Sequence, residues 1–266
     1  MSTADVNGIS INYKLEGEGA ETVVLVNGLA DDLESWGYQT PALLEAGFRV
    51  LTFDNRGVGE SDKPAGPYTT KLFAQDTKAL VDSLGLRHFH LVGVSMGGMI
   101  VQEYALAHPG DLRSLLPACT YAAPGPFCSR MFALWEEMAP VMGLKSVMQD
   151  VTLWAFTQEF FETRPDELAE FEEAMATLTM PVDAYLAQLS SIQTHDTTAR
   201  LGEITAPTTV IAGEVDILIP VELSRRLHEG IAGSRFVTVA GGHACIWEHP
   251  DSFNEAVIAH VNSHAT

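Results

Sequence analysis

One stretch constrains this fold more than any other. It is the apolar run His90-Leu91-Val92, then Gly93-Val94-Ser95-Met96-Gly97, then a helical run from Met99 to Ala107. The order reads as strand, tight turn and helix. Glycines flank Ser95 because the turn leaves no room for side chains beside it. The turn lifts the Ser95 hydroxyl out of the sheet, and the helix that follows points its N-terminal N–H groups at the same place. A candidate nucleophile and half of an anion site are delivered together.

The flanking sequence repeats the same strand–helix rhythm. Val6 to Leu15 alternates polar and apolar residues around Asn7-Gly8 and reads as a hairpin. Val23–Val26 is a short valine-rich run, as a buried strand should be. A short helix is expected from Thr40, with Thr40 as its cap and Pro41 in its first turn. Arg49–Phe53 is a strand, Lys71–Leu84 a helix ended by Gly85, and His108-Pro109-Gly110 stops the helix after Ser95. Leu112–Ala118 is the next strand. From Tyr121 to Arg200 the strands cease, and helical segments follow near Phe127–Met138, Lys145–Thr157, Pro165–Leu178 and Val182–Gln193. The rhythm resumes with the strand Thr208–Ala212, the helix Val221–Glu229, the strand Arg235–Val239 and the helix Pro250–Val261. The chain is thus an α/β protein with a mostly parallel sheet covered on both faces. Its core is expected at 1–120 and 201–266, with 121–200 a helical cap insertion.

A chain of 266 residues suits one large domain with an inserted subdomain. The net charge of −20 argues against nucleic acid and anionic membranes as partners. Three cysteines, Cys119, Cys128 and Cys245, cannot all pair and show no zinc spacing, so a reducing compartment and no metal are expected. Met1 to Ile11 has neither a basic start nor a long apolar run, which reads as no signal peptide. A cytoplasmic protein is expected, without a cofactor; a homo-oligomer stays open.

In open parallel sheets, ligands bind at the carboxyl ends of the strands. A serine there needs a base, and the base needs an orienting acid. The loop after the last strand holds Gly241-Gly242-His243, and the loop after Ala212 holds Gly213-Glu214-Val215-Asp216. Ser95, His243 and Asp216 are therefore the candidate nucleophile, base and orienting acid. Glu214 and Asp196 are the rival acids. His88, His90, His108, His249 and His260 lie on strands or at helix ends and read as structural. Oxyanion donors are expected at the backbone N–H of Met96 and of Leu29, each worth about 3 kcal/mol in a transition state. Asn27 is expected to brace the Leu29 loop. Asp31 and Asp32 are expected to cap the segment that follows. Candidate substrate contacts are Asn27, Gly28, Trp135, Trp154 and Trp247.

These motifs resemble the α/β-hydrolase superfamily over essentially the whole chain. The carriers are Asn27-Gly28, Asp54-x-Arg56-Gly57-x-Gly59-x-Ser61, Gly93-x-Ser95-Met96-Gly97-Gly98, Gly213-Glu214-x-Asp216 and Gly242-His243. The resemblance implies the α/β-hydrolase fold, an eight-stranded sheet with a helical cap. The stretch from Val24 to Trp36 and the run His243-x-x-x-Trp247-Glu248-His249-Pro250 are most similar to the 3-oxoadipate enol-lactonases and small-ester hydrolases. An enol-lactonase acting on a dicarboxylate would want a cationic cap. Only Arg130, Lys145 and Arg164 are available here among many acids, so no particular substrate is assigned. The expected activity is hydrolysis of a small to medium, largely apolar ester or lactone through an acyl-enzyme. Carbon–carbon bond hydrolysis, perhydrolysis on the same triad, and a slow-turnover ligand receptor remain alternatives.

Overall fold

The computed structural model describes residues 2–176 and 179–265. Its strands are β1 (Ser2–Val6), β2 (Ile9–Glu16), β3 (Thr22–Val26), β4 (Arg49–Phe53), β5 (Phe89–Val94), β6 (Leu112–Ala118), β7 (Thr209–Gly213) and β8 (Arg235–Val239). They form one eight-stranded sheet in the order β1-β2-β4-β3-β5-β6-β7-β8. β2 pairs antiparallel with β1 and β4, and every other pairing is parallel. The chain thus has the eight-stranded, mostly parallel α/β architecture that the sequence led us to expect.

The helices are α1 (Gln39–Glu45), α2 (Thr70–Ser83), α3 (Met96–Ala107), α4 (Pro126–Ala155), α5 (Gln158–Thr163), α6 (Pro165–Ala176), α7 (Val182–Gln193), α8 (Val221–Gly230), α9 (Cys245–Glu248) and α10 (Pro250–His264). Side chains alternate across each strand and so divide the core. Val23 and Leu25 of β3 pack on one face with Leu43, Phe253 and Val257. Val24 and Val26 pack on the other with Leu80, Met99 and Val101. Every residue of β3 and β5 is buried, as central strands covered on both faces require. α3 lies very close to β3: a Cβ at Gly97 would sit 2.1 Å from the Val26 carbonyl oxygen. Glycine is required there by backbone approach.

Among the described residues, no strand falls between Ala118 and Thr209, and α4–α7 fill that stretch. α4 contains a break at Gly143 (φ 78°, ψ 164°), where two helices meet. Three local expectations need correction. Thr40 lies inside α1, which is preceded by Tyr38; Gln39 anchors this end by donating its side-chain N–H to the Ile246 carbonyl at 2.8 Å. The Lys145–Thr157 segment ends at Ala155, because Thr157 instead caps α5 by accepting from the Phe160 N–H. The helix expected to reach Leu178 is described to Ala176, and Leu178 lies outside the described residues. No described helix is long and apolar enough to cross a membrane.

Candidate active site

Ser95 occupies the turn between β5 and α3 with φ 56° and ψ −118°. This is a conformation an L-residue rarely adopts, and such outliers cluster at functional sites. The turn is tied down: the Ser95 N–H donates to the Ala118 carbonyl at 2.9 Å, and the Thr120 hydroxyl donates to the Ser95 carbonyl at 2.8 Å. The Ser95 side chain makes no capping bond to α3, so its hydroxyl is free of the helix.

The candidate acid lies in the loop after β7. Asp216 accepts the Ile219 N–H at 2.8 Å on Oδ1 and pairs with His243 Nδ1 at 2.9 Å through Oδ2. Its side chain is fully shielded from solvent. With Nδ1 held by the carboxylate, Nε2 is the imidazole nitrogen left to receive a proton. The rivals are eliminated by position. Glu214 and Asp196 are both exposed, and Asp196 accepts from the Thr198 N–H at 2.9 Å.

Burial pulls the His243 imidazole toward its neutral form. The Asp216 carboxylate, its hydrogen bond, and charge at Cys119 and Asp31 outweigh burial and push the pKa up to about 9. The other buried histidines each bond a hydroxyl group through Nδ1: His90 to Ser114, His195 to Thr70 and His260 to Thr209. Cys119, Asp216 and His243 have donor atoms within 4.8 Å of one another, the spacing a metal ion would need. Two of the three are already each other's partner at 2.9 Å.

The His243 loop is anchored by a residue that sequence reasoning did not single out. Glu248 is buried and accepts the Gly242 N–H at 2.6 Å through Oε2. Its Oε1 accepts both the N–H and the hydroxyl of Thr157 at 2.7 Å. The Ala244 N–H reaches the Ala155 carbonyl at 2.9 Å. One carboxylate thus fastens the His243 loop to the junction of α4 and α5. Glu248 lay within the Trp247-Glu248-His249-Pro250 motif, but nothing local to it points at Thr157.

Ser95 and His243 line one narrow chamber of about 70 Å³, together with Leu29, Asp31, Trp135, Trp247 and apolar residues of α4, α6 and α7. Trp135 and Trp247 therefore line the same chamber as Ser95 and His243. Trp154 does not. On α4 beyond its break at Gly143, the chamber is faced by Met148, Val151, Thr152 and Ala155, which share one helical face. Trp154 points away, packs edge-on against Phe127 at 5.9 Å and lines an outer groove with Val215 and Ile217. Asn27 is likewise a brace. It is buried, it donates through Nδ2 to the Phe53 carbonyl at 3.1 Å, and its carbonyl accepts from Asn55 at 3.2 Å. Gly28 touches the site through its backbone: a Cβ there would lie 3.5 Å from Ser95 Cβ and 2.6 Å from Asp31 Oδ2. Leu29 lines the chamber, and Met96 is buried as the first residue of α3, where its N–H has no helical acceptor.

The two neighbouring aspartates separate. Asp32 accepts from the Glu34 N–H and caps the turn Leu33–Trp36, as expected. Asp31 caps nothing and faces the chamber.

Comparison with known proteins agrees with this architecture. The family model for the alpha/beta hydrolase fold matches residues 21–250. A protein of Caulobacter segnis named carbamate hydrolase RutD is 31% identical over 264 residues, covering 97% of this chain and 98% of the relative. The crystal structure of the enol-lactonase from Burkholderia xenovorans superimposes with a TM-score of 0.91 at 29% identity, covering 98% of this chain and all of that one. The bromoperoxidase from Bacillus anthracis is also similar, with a TM-score of 0.88 and 26% identity over 98% of this chain and 100% of that one.

Proposed function

The chain belongs to the alpha/beta hydrolase family, and from that premise we propose that it is a serine hydrolase cleaving a small, largely apolar carboxylic ester or lactone. The observation that carries this reading is the single chamber shared by Ser95 and His243, with His243 Nδ1 bonded to Asp216 at 2.9 Å. In this reading His243 Nε2 takes the Ser95 proton as the hydroxyl oxygen attacks the carbonyl carbon. Asp216 holds the ring in its tautomer and stabilises the imidazolium. The N–H groups of Met96 and Leu29 receive the oxyanion. The imidazolium then protonates the leaving oxygen, and water activated by His243 releases the acyl group and restores Ser95. Trp135 and Trp247 hold the apolar part of the substrate.

Residues 121–200 act as the cap over a core of 1–120 and 201–266, and the chain works in the cytoplasm. Cys119, Cys128 and Cys245 are buried free thiols, with the Cys119 and Cys245 sulfurs 3.5 Å apart, a state that fits a reducing compartment. The names of the relatives, carbamate hydrolase and enol-lactonase, support hydrolysis at an acyl carbon. The likeness to a bromoperoxidase favours perhydrolysis as the second reading, with hydrogen peroxide replacing water at deacylation.

Steady-state turnover of short p-nitrophenyl esters by wild type and Ser95→Ala tests the proposal. Turnover that falls by at least about 10³-fold in the variant supports it. Equal turnover in both refutes it. Peracid formation from acetate and hydrogen peroxide by the wild type alone selects the second reading.

A further inference from the structure

The chamber holds a charge that the reaction does not need. Most of its wall is hydrocarbon, and besides Ser95 and His243 its polar side chains are Asp31 and Thr152. Thr152 is committed, since its hydroxyl bonds the Gln149 carbonyl at 2.8 Å and Glu172 at 3.2 Å. The Asp31 carboxyl has the Gly28 N–H as a partner, with Asp32 beside it and His243 across the chamber. Its Oδ2 and the Ser95 Cβ both lie close to Gly28, 2.6 and 3.5 Å from the point where a Cβ would sit. A group on the acyl part of a bound ester would therefore meet this carboxyl within a few bonds of the reacting carbon.

Among the described residues, no lysine or arginine lines the chamber. None lines the broader cavity of about 450 Å³ that shares Phe171, Met175 and Trp247 with it. That outer cavity carries Asp32, Glu34, Asp54 and Glu60 instead. Once His243 is in the neutral form that the serine mechanism requires, a carboxylate on the substrate would approach through acidic walls and end beside a buried acid with no lysine or arginine to offset it. An ammonium group would pass through a favourable field and find an acceptor of opposite charge.

We propose that Asp31 is a specificity residue of this site: it takes an ammonium or other N–H donor carried on the acyl part of the substrate, close to the scissile carbonyl, and it excludes acyl parts that bear a carboxylate. The proposal rests on the serine-hydrolase reading. It also accounts for Asp31 itself. Burial, with Asp32 adding to it, pushes its pKa up to about 7, so a bound cation would draw it into its charged form near neutral pH.

Three methyl esters of nearly equal size separate the possibilities: methyl butyrate, the methyl ester of β-alanine and monomethyl succinate. Their acyl chains end in a methyl, an ammonium and a carboxylate. Hydrolysis is followed by pH-stat with wild type, Ser95→Ala, Asp31→Asn and Asp31→Ser, in low salt and in 0.5 M salt. We expect the wild type to favour the β-alanine ester over the succinate ester by at least about tenfold in kcat/KM, the least a charge-assisted hydrogen bond should give. High salt screens the general acidity of the molecule but not a contact inside the chamber, so part of the preference survives it. The ratio should fall by about tenfold in both Asp31 variants. A ratio near one in the wild type, or the same ratio in wild type and variants, overturns the proposal while leaving the hydrolase reading intact. Absence of Ser95-dependent turnover on all three esters overturns both.

Discussion

At Ser95 the backbone is held at φ 56° and ψ −118°, and the side chain makes no capping bond to the helix it precedes. The hydroxyl is thus available for chemistry and of little use to the fold. Ser95→Ala should leave the thermal midpoint almost unchanged while abolishing turnover, which a melting curve beside the ester assay checks. His243 gives a second test. Its pKa is pushed up to about 9, and only the neutral ring can accept the serine proton. kcat/KM should therefore climb with pH until about 9. Asp216→Asn removes the charge that opposes burial, so the acid limb of the profile should move to lower pH as the rate drops. A limb that stays in place would separate His243 from the base role. Asp31 has the opposite consequence for stability. Its pKa rises from 3.8 to about 7, so the folded state resists ionising it. Stability contributed by the protonated form is lost as pH rises across that interval. Asp31→Asn should raise the melting midpoint at pH 8 relative to wild type and have little effect at pH 3.5. The residue would then be one that costs stability and is kept for binding.

At the scale of elements, two joints position the chemistry. The first is the seat of α3 on β3. A methyl at Gly97 would meet the Val26 carbonyl oxygen at 2.1 Å, a backbone atom that has no rotamer to escape by. Gly97→Ala should displace α3 and with it Ser95, lowering both the urea midpoint and turnover. The second joint is Glu248, which binds the Gly242 N–H and both polar groups of Thr157. Glu248→Ala strands these donors and should cost on the order of 2 kcal/mol or more in urea unfolding. Turnover should fall with it, because His243 follows Gly242 directly. The strands were legible in the sequence because their apolar runs are local: Arg49–Phe53, Leu112–Ala118 and Arg235–Val239 have the expected bounds. α5 and α9 were not legible. Each is short, and both are secured by Glu248 and its partners across 91 residues of chain. No periodicity announces such a contact.

At the scale of the molecule, the parallel sheet gathers loops from distant parts of the chain at one end, and this let strand order, with the Ser95 turn, point to Ser95, Asp216 and His243 as a candidate set. What the sequence left open depends on the direction in which a side chain points. Asn27 turns inward to brace Phe53, Trp154 turns outward to Phe127, and Asp31 turns into the chamber while Asp32 caps the next turn. Adjacent residues take opposite roles there, and composition does not distinguish them. The net charge of −20 has a consequence of its own. Association with a cationic ester should slow as salt is added, and association with an anionic ester should quicken. In the proposed reaction Ser95 carries the acyl group. Intact-mass spectrometry after exposure to a fluorophosphonate, followed by peptide mapping, checks this on the enzyme itself. One adduct per chain is expected, located on Ser95, with ester turnover lost in proportion to labelling. An adduct on another residue, or full turnover from a fully labelled Ser95, would contradict it.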